Sequence, residues 1–464
     1  MRPARLRDVA LAIGAGISGV ASGAADDLLV LGASVDSRKV RDGELFFAFR
    51  GKVDGAEFAA EAHRRGAVAV VSDRELEVPT LVVQEPLSAL QELARWTLSR
   101  EDAPRSTIVG ITGTVGKTTT KDALAAILRS AGKKVCATEG NFNNEIGLPL
   151  TVLAAGAQTE FLVLEMGATH AGDIGHLCGI ASPDVGILTA VSPVHLDSFG
   201  SLEELAAAKG ELATALPSDG VLVSSVGAPD SATGYGRDLK RRIRFAPMLG
   251  DQNSDLWASD LEEHEDGLRF VLHTNDGEAA VRTPVFGTHL VEPLLAACGG
   301  ALALGLSAGD CAQGLARLKR TGLRGEVYRL RDDILVYDDS YNASPAAMSA
   351  VLRYGADQAG NQERRLVAVL GGMFELGPGA RSYHRETGEV ADEVGVDLLA
   401  CVGDEARWYA ETFSGPVVFY EGAESAAVGL QGLLNGGEYV VVKGSRGVGL
   451  DSLTRKLRER LTLV

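Results

Sequence analysis

The chain has no apolar run long and unbroken enough to cross a bilayer, which takes about 20 residues as a helix. No membrane insertion is expected. Its five cysteines, Cys136, Cys178, Cys298, Cys311 and Cys401, form no CxxC pair and no other metal-ligand spacing. Their odd number argues against a disulfide framework, and they read as reduced core thiols of a cytoplasmic protein. A basic surplus is missing too, with 45 Lys and Arg against 62 Asp and Glu and a formal charge of −17. A broad nucleic-acid face needs cations gathered on one side, so no nucleic acid is expected as a partner, whereas a few local cations suffice for small anionic substrates. The start Met1-Arg2-Pro3-Ala4-Arg5 is basic, but Asp8 precedes the apolar stretch from Val9 to Ile17, which fits an amphipathic first helix better than a secretion signal. There is no internal repeat and no low-complexity segment.

What is present is 464 residues, too many for one core at about 100–200 residues per domain. Three α/β domains are expected: 1–103, 104–322 and 323–464. In the first, 43–49 and 67–71 read as strands around a helix from Phe58 to Arg65, giving a small α/β unit. In the second, strands at Ile108–Thr112, Phe161–Glu165, Val185–Val191 and Val221–Ser224 alternate with helices, the pattern of βαβ units in a mostly parallel sheet. Ala228 to Arg242 reads as irregular surface, and Trp257 to Thr274 as a peripheral hairpin. In the third, Ile334–Asp338, Leu366–Leu370, Leu398–Val402, Val417–Tyr420 and Tyr439–Lys443 give a doubly wound, Rossmann-like sheet. No GxGxxG follows its first strand, so a dinucleotide is not its natural ligand.

The strongest local signal is Gly110-Ile111-Thr112-Gly113-Thr114-Val115-Gly116-Lys117-Thr118-Thr119-Thr120, between a strand and a helix. Glycines let the backbone approach phosphates, and the loop N–H groups and helix N-terminus supply positive potential. Lys117 then suits the β- and γ-phosphates, and the Thr118 hydroxyl suits Mg²⁺. The strict pattern wants glycine where Ile111 stands, so this is a variant with glycines at 110, 113 and 116. A glycine turn that merely packed a helix on a strand would have no need of a lysine followed by three threonines.

Further polar groups fall at strand ends, where open parallel sheets bind ligands. Glu165 closes its strand, and His195 follows another in Ser192-Pro193-Val194-His195-Leu196-Asp197. Either alone is most simply a cap or a surface group; beside the loop they form a candidate metal set, in which an imidazole fits Mg²⁺ only together with phosphate and water oxygens. On composition alone Lys209, in Ala208-Lys209-Gly210-Glu211, is a solvated helix lysine.

These residues, in this order, resemble the Mur ligase family from about Ser34 to Leu450. The anchors are the phosphate loop, Asn141 to Thr151, Glu165-Met166-Gly167-Ala168, His195, Ala208-Lys209-Gly210-Glu211, Asp339-Ser340-Tyr341-Asn342-Ala343-Ser344-Pro345 and Lys443-Gly444-Ser445-Arg446-Gly447. The last two resemble the branch that adds D-alanyl-D-alanine to a UDP-N-acetylmuramoyl tripeptide in peptidoglycan precursor synthesis. The resemblance implies an ATP- and Mg²⁺-dependent ligase that works through an acyl phosphate; a monomer is expected. It further implies that Ser34, Asp36, Ser37 and Arg38 contact the UDP-muramoyl moiety and that Asn143 and Asn144 position substrate and phosphate. Gly113, Thr114, Val115, Gly116, Lys117, Thr118 and Thr119 would cradle ATP, with Arg324 at its phosphates, Asp339 and Asn342 by the ribose and His289 toward adenine. Thr118, Glu165, His195 and Lys209 would serve the metal, Lys209 as a carbamate, which turns a cation into an anionic oxygen donor. Lys443 and Arg446 would hold the peptide or its carboxylates.

The family's adenine element departs here to His289-Leu290-Val291-Glu292-Pro293, and its Gly-Ser-Asn-Gly-Lys loop to Gly113-Thr114-Val115-Gly116-Lys117, a change a backbone cradle tolerates. Two other functions fit parts of the pattern. One is a related amide ligase with another acceptor, such as a folylpolyglutamate-type enzyme, against which the Asp36-Ser37-Arg38 domain argues. The other is a regulatory ATPase, which has no need of the metal set or the acceptor-side elements.

Overall fold

The computed structural model describes residues 1–461 apart from 22, 103, 193–195, 235–238, 240, 248–252, 265 and 320–321. His195 therefore lies outside the described residues.

Among them the chain forms three α/β layers in sequence order, each around its own sheet. The first sheet has five strands, ordered Gly16–Ser18, Thr80–Val82, Ala69–Ser72, Glu44–Phe47 and Gly32–Ser34. All its pairings are parallel except that of the first strand. The first helix spans Leu6–Ala12, earlier than the apolar stretch suggests, because the chain turns at Gly14 to begin the edge strand Gly16–Ser18.

The central sheet has nine strands. Thr107–Thr112 is inserted between Phe161–Glu165 and Val185–Leu188, parallel to both, and the sheet continues in parallel through Val221–Ser225, Arg241–Ala246 and the start of Leu256–His264. Its far edge is the antiparallel meander Leu256–His264, Gly267–Thr274 and Gly277–Thr283. Two expectations need correction. Arg241–Ala246 falls partly in the stretch read as irregular surface, yet it is a strand: Ile243 and Phe245 are buried on one face while Arg242 and Arg244 take the alternate positions, a period of two masked by its arginines. The strand expected over Val185–Val191 stops at Leu188, because Thr189 and Ala190 leave the sheet to bond the phosphate loop.

Helix Lys117–Ser130 covers this sheet through Leu124, Ile127 and Leu128, packed with Leu294 and Leu295 of helix Val291–Ala303. Burying each such side chain is worth roughly 1.5–3 kcal/mol, which anchors the helix whose first residue is Lys117.

The third sheet is six-stranded, in the order Glu326–Arg329, Leu335–Asp338, Tyr439–Lys443, Leu366–Gly371, Leu398–Val402 and Val417–Tyr420. Glu326–Arg329 is an antiparallel edge strand beyond the five runs read from sequence, and the remaining pairings are parallel. No helix among the described residues is long and apolar enough to cross a membrane.

Candidate active site

The carboxyl ends of the central and third sheets open on one cavity of about 720 Å³. Its central wall is Gly113–Thr119 with Asn143, Asn144, Glu165 and Lys209; its opposite wall is Arg324, Asp339, Asn342, Lys443 and Arg446, with His289 between. Residues scattered over more than 300 positions thus meet because parallel strands deliver their following loops to the same edge.

The phosphate loop is held from three sides. Thr114 N–H donates to Ala190 O at 2.9 Å, Thr189 Oγ1 donates to Val115 O at 2.7 Å, and the Pro293 ring lies against Gly116. Gly113 and Gly116 have φ of +143° and +87°. A Cβ on Gly113 would stand 2.0 Å from Thr189 Oγ1, and one on Gly116 2.8 Å from Pro293 Cγ. Glycine is needed at both positions for conformation and for space. Gly113→Ala is expected to weaken ADP binding at least about tenfold by displacing loop N–H groups. Calorimetry checks this, and wild-type affinity in that variant would contradict the cradle.

Lys117 begins the helix, and its ammonium donates to Gly113 O at 2.8 Å and Thr114 O at 3.1 Å, at the mouth of the loop. Burial lowers its proton affinity; Glu165 opposes that effect and the nearby Arg324 guanidinium adds to it. Thr118 Oγ1 donates to Glu165 Oε2 at 2.8 Å, and Asn143 Nδ2 donates to Glu165 Oε1 at 2.8 Å. The loop, the strand end and the Asn143 segment are thereby tied through one carboxylate that is only 3% exposed.

Three domain descriptions match the chain: the Mur ligase family catalytic domain over residues 30–95, the Mur ligase middle domain over 111–301, and the Mur ligase glutamate ligase domain over 323–446. The UDP-N-acetylmuramoyl-tripeptide--D-alanyl-D-alanine ligase of Escherichia coli is 32% identical over 94% of this chain and 95% of its own length. The chain belongs to the Mur ligase family. Solved structures agree. MurF from Acinetobacter baumannii superposes with a TM-score of 0.85 at 26% identity, covering 98% of this chain and 99% of that one. MurF ligase from Thermotoga maritima in complex with ADP has a TM-score of 0.78 at 30% identity, covering 92% and 98%.

In this Mur ligase Lys209 is buried, 2% exposed, rather than solvated as composition alone suggests. Its Nζ donates to Ala168 O at 3.2 Å and stands 5.3 Å from the centre of the Phe199 ring. Burial, reinforced by the charge of Lys117, pushes its proton loss down to about 7 against the weaker pull of Asp173 and Glu211. Both Glu211 oxygens are engaged, accepting from Gly172 N at 2.6 Å and Gly175 N at 2.8 Å.

The two asparagines diverge. Asn143 serves Glu165, whereas Asn144 Oδ1 accepts from Gly147 N at 2.9 Å, at the start of the helix Gly147–Ala154. That helix packs on the strand Gly32–Ser34 and on Pro86–Ser99, so it joins the first domain to the cavity rim. Ser34, Asp36, Ser37 and Arg38 do not themselves line the cavity. Arg38 closes on Asp36 with two bonds of 2.9 Å, which holds the carboxyl down at about 2, and Ser37 Oγ donates to Glu61 at 3.1 Å.

On the opposite wall Lys443 is ion-paired with Asp339 and donates to Asn342 O at 3.0 Å, clamping the loop between them. Arg446 pairs with Asp451 at 3.1 Å. His289 keeps its Nδ1 buried without a hydrogen-bond partner, its Nε2 lies 3.5 Å from Tyr337 Oη, and burial drops its proton loss to about 4. Burial keeps this imidazole neutral where His289 lines the cavity.

Two further residues of the site have no role legible in sequence: Thr189, hidden inside an overlong strand, and Tyr341, which lines the cavity with two arginines near its ring. A threonine at a strand's true end, opposite a phosphate loop, is the signal that would have found the first.

The donor set fits Mg²⁺. The Thr118 hydroxyl and the Glu165 carboxylate are hard oxygens 2.8 Å apart beside the phosphate loop. No cluster of three or more His, Cys, Asp or Glu occurs among the described residues, so the remaining positions of such an ion would have to go to phosphate and water.

Proposed function

We propose that this chain is the ATP-dependent ligase that joins D-alanyl-D-alanine to a UDP-N-acetylmuramoyl tripeptide through an acyl phosphate, in the cytoplasm and as a monomer. One observation carries the reading: a phosphate loop and a second parallel sheet's loops face each other across a single cavity. The family membership and the relatives' activity support it. Residues 1–103 hold the UDP-muramoyl end, 104–322 hold ATP, and 323–464 supply the facing wall.

The terminal carboxylate oxygen of the tripeptide attacks the γ-phosphorus, the bond to the bridging oxygen breaks, and ADP leaves. The dipeptide amine, once deprotonated, attacks the acyl carbon, and phosphate departs with the former carboxylate oxygen. Lys117 and Arg324 stabilise charge on the transferring phosphoryl group, which is where most of the acceleration in such transfers arises. Thr118 and Glu165, with Lys209 and His195, would hold Mg²⁺, which when bound neutralises phosphate charge. Asn143 keeps Glu165 oriented. Closure of the two walls aligns amine and acyl carbon and excludes water that would hydrolyse the intermediate. A carboxylate labelled with ¹⁸O should deliver one labelled oxygen to the released phosphate; unlabelled phosphate would contradict an acyl phosphate.

Lys209 is carbamylated in the working enzyme. Its neutral nitrogen attacks CO₂, an N–C bond forms and one proton is released, leaving an anionic oxygen donor. That also replaces the repulsion between Lys209 and Lys117 with attraction. Below about 7 the buried amine is protonated and cannot react; as pH rises toward the free-lysine value of about 10.4, the unfolded chain binds the extra proton, so the unmodified fold gains stability. With CO₂ limiting, the rate is expected to rise several-fold between about pH 6 and 8 and to respond to bicarbonate near pH 7. A rate indifferent to bicarbonate across that range would exclude the carbamate.

A further inference from the structure

Arg324 precedes the third sheet, Arg446 follows its last strand, and Tyr341 sits in the loop after the strand Leu335–Asp338. These separate segments meet at one ring. The Arg324 guanidinium carbon lies 4.1 Å from the Tyr341 ring centre and that of Arg446 lies 5.6 Å from it. Arg446 has a carboxylate partner in Asp451, whereas no carboxylate among the described residues forms an ion pair with Arg324. The backbone repeats the coupling, since Tyr341 N–H donates to Leu323 O at 3.1 Å, and both neighbours of Arg324 have positive φ, +66° at Leu323 and +70° at Gly325. Lys443 bolts the loop that carries the ring through Asp339 and Asn342.

We propose that Tyr341 is a positioning residue that holds Arg324, through its ring face, toward the terminal phosphate of ATP. The proposal rests on the ATP site assigned above. Two guanidinium groups beside one ring repel each other, and the quadrupole of the ring offsets part of that cost while fixing their planes. Arg324 and Lys117 line the same cavity. Cations crowded in this way leave a gap that a polyanion fills, and the terminal phosphate brings more charge into it than ADP does. The ring therefore adds to discrimination between ATP and ADP without touching either. Its face, not its hydroxyl, does this.

The test is a comparison of Tyr341→Leu and Tyr341→Phe in the full chain, with calorimetric titration of a non-hydrolysable ATP analogue and of ADP. Tyr341→Leu should bind the analogue about ten- to thirty-fold more weakly while ADP changes less than about threefold, and Tyr341→Phe should stay within about threefold of wild type for both. A space-filling role alone would be satisfied by leucine. In an Arg324→Gln background, Tyr341→Leu should have no further effect on the analogue, which guards against a general folding defect in the single variant; thermal melts are run alongside. Unchanged analogue affinity in Tyr341→Leu, equal losses in the Leu and Phe variants, or additive losses with Arg324→Gln would overturn the proposal. If the wild type binds neither nucleotide, the ATP-site assignment itself fails, which is a distinguishable result.

Discussion

Lys117→Ala is expected to lower ADP and amide formation by roughly three orders of magnitude or more, since a preorganised charge on a transferring phosphoryl group is commonly worth that much. The fold should not suffer. The Lys117 ammonium is desolvated, bonded only to loop carbonyls and close to the charge of Arg324, so the native chain holds it at a cost. Removing it should leave the melting temperature unchanged or slightly raised. Stopped turnover with an intact melt separates a lost charge from a lost structure, and full activity in this variant would remove Lys117 from the chemistry.

Glu165→Ala should also cost about a thousandfold in turnover, but with the opposite signature in stability. Glu165 accepts from both Thr118 and Asn143 in a nearly solvent-free position. Deleting it leaves a buried hydroxyl and a half-buried amide without their acceptor, each worth about 1–3 kcal/mol when unsatisfied. The melting temperature should fall by several degrees. Glu165→Gln keeps the size and part of the hydrogen bonding, so it should recover much of the stability and little of the rate, because a neutral amide is a poor Mg²⁺ ligand. Recovery of the rate in the glutamine variant would show that Glu165 is structural.

The contrast between these two residues shows which parts of the site sequence can carry. The phosphate loop is local: a strand, three glycines, a lysine and a helix start within eleven positions, so its geometry follows from backbone chemistry alone. Glu165 was legible because a carboxylate at the end of an apolar run sits at the ligand edge of a parallel sheet. Lys209 was not legible from composition, since the Phe199 ring beside it and the Lys117 charge that lowers its proton affinity are brought near only by packing. Tyr341 shows no role in sequence, because its two arginines lie 17 positions before it and 105 after it in the chain. The strand Arg241–Ala246 is hard to read in sequence because Arg242 and Arg244 on its other face hide an alternation whose buried half is only Ile243 and Phe245. At the end of Val185–Leu188 an apolar, β-prone continuation was overruled by the backbone needs of the phosphate loop.

The most direct measurement supplies the purified chain with UDP-N-acetylmuramoyl tripeptide, D-alanyl-D-alanine, ATP and Mg²⁺ and follows products by mass spectrometry with parallel phosphate and ADP assays. One UDP-N-acetylmuramoyl pentapeptide is expected for each ADP and each phosphate formed, and no ADP when the tripeptide is left out. ATP consumed with no new amide bond, whatever the acceptor, would contradict this.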